Sequence, residues 1–126
     1  LPRSKSILVR ENVVGFHCWP TPDPAVPYLG QTHRHRFGFI IEASVTHGDR
    51  EVEFHMLQRS TRAVVGGLFP MNEHGEYEFG ARSCEAIAEA VLLELEILLE
   101  LETDGLPILS VEVWEDGECG ARVKST

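Results

Sequence analysis

Gln31-Thr32-His33-Arg34-His35-Arg36-Phe37-Gly38-Phe39-Ile40-Ile41-Glu42-Ala43-Ser44-Val45-Thr46 is the stretch from which the fold is read. Side chains at i and i+2 share one side of a strand. His33, His35, Phe37, Phe39, Ile41, Ala43 and Val45 form one row, and Arg34, Arg36, Glu42, Ser44 and Thr46 fall on the other. The pattern is that of a strand with one apolar face and one polar face. Two imidazoles open the apolar row. A third, His17, ends the preceding apolar run. Three neutral imidazoles with one open coordination position can hold a catalytic zinc ion. Read without context, scattered histidines are also ordinary surface or core fillers, and spacing alone leaves both readings open.

Around this segment, Ile7 to Cys18 reads as a first strand, rich in Val, Ile and Phe. Trp19 to Thr32 contains Pro20, Pro22, Pro24 and Pro27 and reads as a loop, because proline gives no amide proton to a ladder. A loop this long is often functional. His47-Gly48-Asp49 marks a turn, Arg50 to Phe54 continues extended, and Met56 to Val65 reads as a short helix ended by Gly66-Gly67. Phe69 to Arg82 is irregular. Ser83 is placed to cap a long helix reaching about Thr103, with Glu85, Glu89, Glu96 and Glu100 on one solvated stripe. Asp104-Gly105 and Pro107 stop it. Ile108 to Glu115 and Gly120 to Lys124 are strands joined at Asp116-Gly117. Strands flanking two helices indicate an α+β fold, ββααββ, an antiparallel sheet with both helices on one face.

Length and composition bound the class. A chain of 126 residues suits one domain over residues 1–126. With 43% hydrophobic and 25% charged residues it is expected to be globular rather than disordered. A net charge of −9 argues against nucleic acid and anionic lipid as partners. Cys18, Cys84 and Cys119 are odd in number and widely spaced, which is no disulfide framework and points to a reducing, cytoplasmic setting. Leu1 to Ser6 is polar and basic, so no signal peptide is expected. Glutamates interrupt Ile87 to Leu101, which therefore does not read as a membrane span.

Glu115 ends the apolar row Leu109, Val111, Val113. A carboxylate there is either partly buried with a donor partner or the solvated end of a strand. If buried, it fits the paired N–H edge of a pterin or guanine.

Taken in order, His17, the long loop, His33-Arg34-His35, Glu53-Phe54, Ser83-Cys84-Glu85 and Val111-Glu112-Val113-Trp114-Glu115 resemble the 6-pyruvoyl-tetrahydropterin synthase and 6-carboxy-tetrahydropterin synthase family, which has the tunnelling fold (T-fold). The likeness spans nearly the whole chain. It implies zinc on His17, His33 and His35, with Arg34 in place of the family glycine. It implies a substrate ring held by Glu115 and by the helix start Ser83, Cys84 and Glu85. It implies a lyase acting on a dihydroneopterin triphosphate-like substrate, as in tetrahydropterin or queuosine biosynthesis. It also implies a homo-oligomer, trimer or hexamer, with sites between subunits.

Two family features are absent. The family cysteine before the histidine pair has no counterpart in Pro27-Tyr28-Leu29-Gly30-Gln31-Thr32, and its Asp-His relay between the helices meets only Glu73-His74. His74 is the candidate base. Cys18, next after His17, is expected to face away from it. His47, Asp49 and Arg50 receive no role. A non-catalytic module holding a metal and a pterin- or guanine-type ligand is the alternative, and a structural oligomer is a third.

Overall fold

The computed structural model describes residues 3–102 and 108–125. Five strands and two helices follow one another as β1 (Lys5–His17), β2 (His33–Val45), α1 (Phe54–Leu68), β3 (Tyr77–Gly80), α2 (Cys84–Glu102), β4 (Leu109–Glu115) and β5 (Cys119–Lys124), with a 3-10 turn at Pro27–Gly30 between the first two strands. The sheet runs β3-β1-β2-β4-β5. All neighbours are antiparallel except β3, which lies parallel to β1. The α+β T-fold-like architecture read from the sequence is therefore present, with a short third strand added that makes the sheet mixed. Only Phe79 of β3 is fully buried, and four residues give too short an alternation to be read as a strand.

The predicted two-sided row of β2 is the core. Phe37, Phe39, Ile41 and Ala43 have no exposed surface, and neither do Leu109, Val111 and Val113 of β4. Ile87, Val91 and Leu95 of α2, with Leu57 and Val65 of α1, cover that face. Each such side chain contributes roughly 1.5–3 kcal/mol on burial. Glu85, Glu89 and Glu100 of the α2 stripe are exposed as expected, and Glu96 is half-buried.

Helix limits follow from capping. The Glu53 carboxylate accepts the amides of His55 and Met56, so α1 starts at Phe54 and residues 50–53 do not extend as a strand. Gly66 and Gly67 lie inside α1, which ends at Leu68, because Phe69 is anchored in the core and terminates the helix in extended geometry. Ser83 Oγ accepts the Ala86 amide at 3.1 Å and starts α2. The expected stop signals Asp104, Gly105 and Pro107, and the expected last helical residue Thr103, lie outside the described residues.

Gly15 of β1 shows how β3 docks. A Cβ there would sit 2.5 Å from Phe79 Cε2, so the missing side chain lets the Phe79 ring lie against the β1 backbone. No helix among the described residues is long and apolar enough to cross a membrane.

Candidate metal centre

The β1–β2 ladder pairs His17 with His33 and Gly15 with His35. Directly opposed residues of an antiparallel pair share a face, so all three imidazoles lie on the core side of the sheet, just past the edge of the apolar row. Their rings are 4.6 Å (His17–His33), 4.9 Å (His33–His35) and 5.4 Å (His17–His35) apart, all edge-on. Phe37 packs edge-on beneath His17 and His35. The candidate ligand atoms lie within 4.8 Å of one another.

Each ring is oriented by a partner on Nδ1. His17 Nδ1 donates to the Arg82 carbonyl at 2.9 Å, and His33 Nδ1 to the Gln31 carbonyl at 2.8 Å. His35 Nδ1 donates to Asp116 Oδ2 at 2.7 Å. Asp116, at a positive φ of 54°, also accepts the Arg36 amide through Oδ1. These acceptors fix the proton on Nδ1 and turn the Nε2 lone pair inward, the arrangement that orients metal-ligating histidines. The donor set fits zinc, and His17, His33 and His35 would hold it.

Glu115 reaches the same point. Its Oε1 lies 3.0 Å from His17 Nε2, and its Oε2 lies 3.4 Å from His35 Nε2. Cys84 Sγ donates to Oε1 at 3.3 Å. The glutamate is half-buried with partners, which decides between the two readings its place in the sequence left open. Burial first, then the Glu115 charge, pushes the Cys84 thiol up to about 12, so it stays protonated. Burial also lowers the pKa of His17; the Arg82 carbonyl and Glu115 oppose that shift, while His33 and His35 add to it. The Arg36 amide and then His35 hold Asp116 below its ordinary value.

Beside this cluster opens a cavity of about 500 Å³. His17, His33 and Glu115 line it, and so do Ser83, Cys84 and Glu85 at the start of α2. Trp19 and Leu29 of the long loop form another wall, closed on itself by the Trp19 amide donating to the Leu29 carbonyl. All three cysteines line this cavity. Cys18, expected to face away from His17, lines the same cavity as His17. β1 ends at His17, strand alternation stops there, and the Cys18 amide bonds instead to the Gly80 carbonyl. Cys119 gave no sequence signal. It lies opposite Glu115 across the β4–β5 ladder, a register that depends on the turn at Asp116 and Gly117.

His74 is not among the residues lining the cavity. It sits exposed in the turn 72–76, with its ring near Glu73. His47 is also away from the centre, beside Glu51. Trp114 faces the opposite side of the sheet, where its Nε1 donates to Glu112.

No protein-family model matches the sequence, and no curated protein matches it. Solved structures do. The 6-pyruvoyl tetrahydropterin synthase of Plasmodium falciparum superposes with a TM-score of 0.66 at 13% identity, over 97% of this chain and 98% of that one. An uncharacterized protein, WS1659 of Wolinella succinogenes, gives a TM-score of 0.66 at 12% identity, over 99% of this chain and 100% of that one. Over 97% of its length the chain therefore shares the fold of a 6-pyruvoyl tetrahydropterin synthase structure.

Proposed function

We propose that the protein is a zinc-dependent lyase of the pterin synthase type, acting on a dihydropterin such as dihydroneopterin triphosphate. The observation that carries this reading is the convergence of three Nδ1-anchored imidazoles beside Glu115, at the wall of a ring-sized cavity. The shared fold adds support.

His17, His33 and His35 would hold the zinc ion, which would supply Lewis acidity toward an oxygen on the ligand's side chain. The chain's own groups do the rest. Glu115 accepts two N–H groups from the amidine edge of the ring, a bidentate match that fixes its orientation. The Cys84 thiol, held protonated, steadies one carboxylate oxygen. Trp19 and Leu29 cover the ring and exclude water. His74, exposed and outside the cavity wall, receives no step within one chain.

The protein works in the cytoplasm as a homo-oligomer with sites at subunit boundaries. β3 and β5 are the outer strands of the sheet, and pairing between copies hides such edges.

The test is turnover of dihydroneopterin triphosphate by the zinc-loaded protein. A pyruvoyl or carboxy pterin product supports the lyase. Binding without turnover supports a second reading, a non-catalytic pterin or guanine module. The lack of a cysteine in residues 27–32 and the position of His74 favour that second reading. Failure to bind either zinc or any pterin removes both.

A further inference from the structure

Glu115 faces the histidines through two contacts that neutral imidazoles do not explain. His17 and His33 each donate Nδ1–H to a main-chain carbonyl, which can only accept. His35 does the same to the Asp116 carboxylate. A neutral imidazole with its proton on Nδ1 presents a lone pair at Nε2. The two Glu115 oxygens lie 3.0 and 3.4 Å from two of those lone pairs. Acceptor facing acceptor is repulsive unless positive charge lies between them.

One ion held by the three Nε2 atoms and a single Glu115 oxygen would supply that charge, after a small shift of the carboxylate, which now touches His17 and His35. In a tetrahedral zinc site with bonds of ~2.0–2.1 Å, neighbouring donor atoms are roughly 3.3 Å apart. The two Glu115 contacts fall on either side of that spacing. Cys84 donates to Oε1 from the cavity side and braces the carboxylate in this pose. The same two oxygens are the ones that a ring edge would need, so Glu115 cannot serve both partners at once.

Resting on the metal reading above, we propose that Glu115 is the fourth ligand of the centre before a substrate enters, and that it leaves the ion for the N–H edge of an arriving heteroaromatic ring. The coordination position opens only when the correct ring is in place. Glu115 is then both ring anchor and gate.

The test uses the protein loaded with cobalt(II), whose visible absorption reports the ligand set, with azide as a probe of an open position. In the wild type, azide alone leaves the spectrum unchanged, and azide added after 7,8-dihydropterin, which has the ring edge but no side-chain oxygen to fill the position, shifts it. In Glu115→Ala, azide shifts the spectrum without the pterin, and zinc affinity falls at least tenfold. Glu115→Gln keeps the side-chain shape and repeats the result should the alanine variant fail to fold. A wild-type spectrum that answers azide as readily as Glu115→Ala overturns the proposal. So does unchanged zinc affinity in both variants, which leaves Glu115 paired with imidazolium groups instead. Either outcome with zinc still bound leaves the metal reading intact; no metal uptake at all defeats that reading as well. If the pterin fails to bind while azide separates wild type from variant, Glu115 stands as the fourth ligand and the release to a pterin ring is overturned.

Discussion

His17 and His33 face each other directly across the β1–β2 ladder, with ring centroids 4.6 Å apart and Nδ1 atoms tied to two different carbonyls. The pair is thus set by register. A one-residue slip of β2 would send its histidines to the other face, and the buried row Phe37, Phe39, Ile41 forbids that slip. The same apolar face that stabilises the sheet aims the three candidate metal ligands.

His33→Ala leaves two imidazoles and a carboxylate. The ring is half-buried at the rim and outside the core cluster, so the fold survives. Zinc affinity is expected to fall by roughly 100-fold or more when a ligand is lost, since even supporting partners cost ~10–100-fold. Metal content after gel filtration, read with far-UV circular dichroism, checks this. A variant that keeps full zinc would show that His33 is no ligand.

Asp116→Asn tests the outer partner of His35. The Arg36 amide keeps an acceptor and asparagine tolerates the positive φ of 54°, so the turn should hold. Loss of the charge facing His35 Nδ1 is expected to weaken zinc binding ~10–100-fold. Competition against a chelator of known affinity measures it; an unchanged constant would remove Asp116 from the centre.

Metal should stabilise the folded chain, since the three candidate ligands converge only when β1 and β2 pair. At free zinc a thousandfold above its dissociation constant, the gain is ~4 kcal/mol. Thermal unfolding with zinc and with EDTA reads the difference. Coincident curves would contradict a preformed site.

For the metal-stripped protein, pH acts through His17. Burial lowers its folded pKa below 6.5. The folded chain therefore binds fewer protons than the unfolded chain as pH drops below that value. The stability linked to His17 is fully present above pH 6.5 and is lost as pH falls through the folded pKa. Glu112 and Asp116 have depressed values, so their contributions persist until pH falls below 4.5 and 3.8, respectively. Urea midpoints are expected to be lower at pH 5.5 than at pH 7.5, with a smaller drop in His17→Gln. Equal drops in the two proteins would exclude His17 as the source.

Gly15→Ala probes the docking of β3. The new Cβ would meet Phe79 Cε2 at 2.5 Å, and Phe37, Phe69 and Tyr77 surround that ring. Overpacking of this kind costs ~1–3 kcal/mol. Denaturant unfolding reads it, and a neutral result would mean that β3 moves freely. Because β3 leads into Arg82, whose carbonyl holds His17, zinc affinity should fall with stability.

The sequence by itself determined what is local and periodic. Alternation along residues 33–45 named the β2 core face and placed two histidines on it, because strand side chains repeat every two residues. Ser83 announced the start of α2, while the end of an apolar row left Glu115 open between a partly buried and a solvated carboxylate. Tertiary structure alone decided what depends on which segments meet. Register put His17 opposite His33. The end of β1 put Cys18 in the cavity wall, and the Asp116–Gly117 turn brought Cys119 beside Glu115 and Asp116 onto His35. The parallel docking of β3 fixed the Arg82 carbonyl on His17 and left His74 out in its turn. The Arg82–His17 and Asp116–His35 contacts join residues dozens of positions apart, and the energies of all these contacts come from packing and hydrogen bonding across the sheet, which no local pattern encodes.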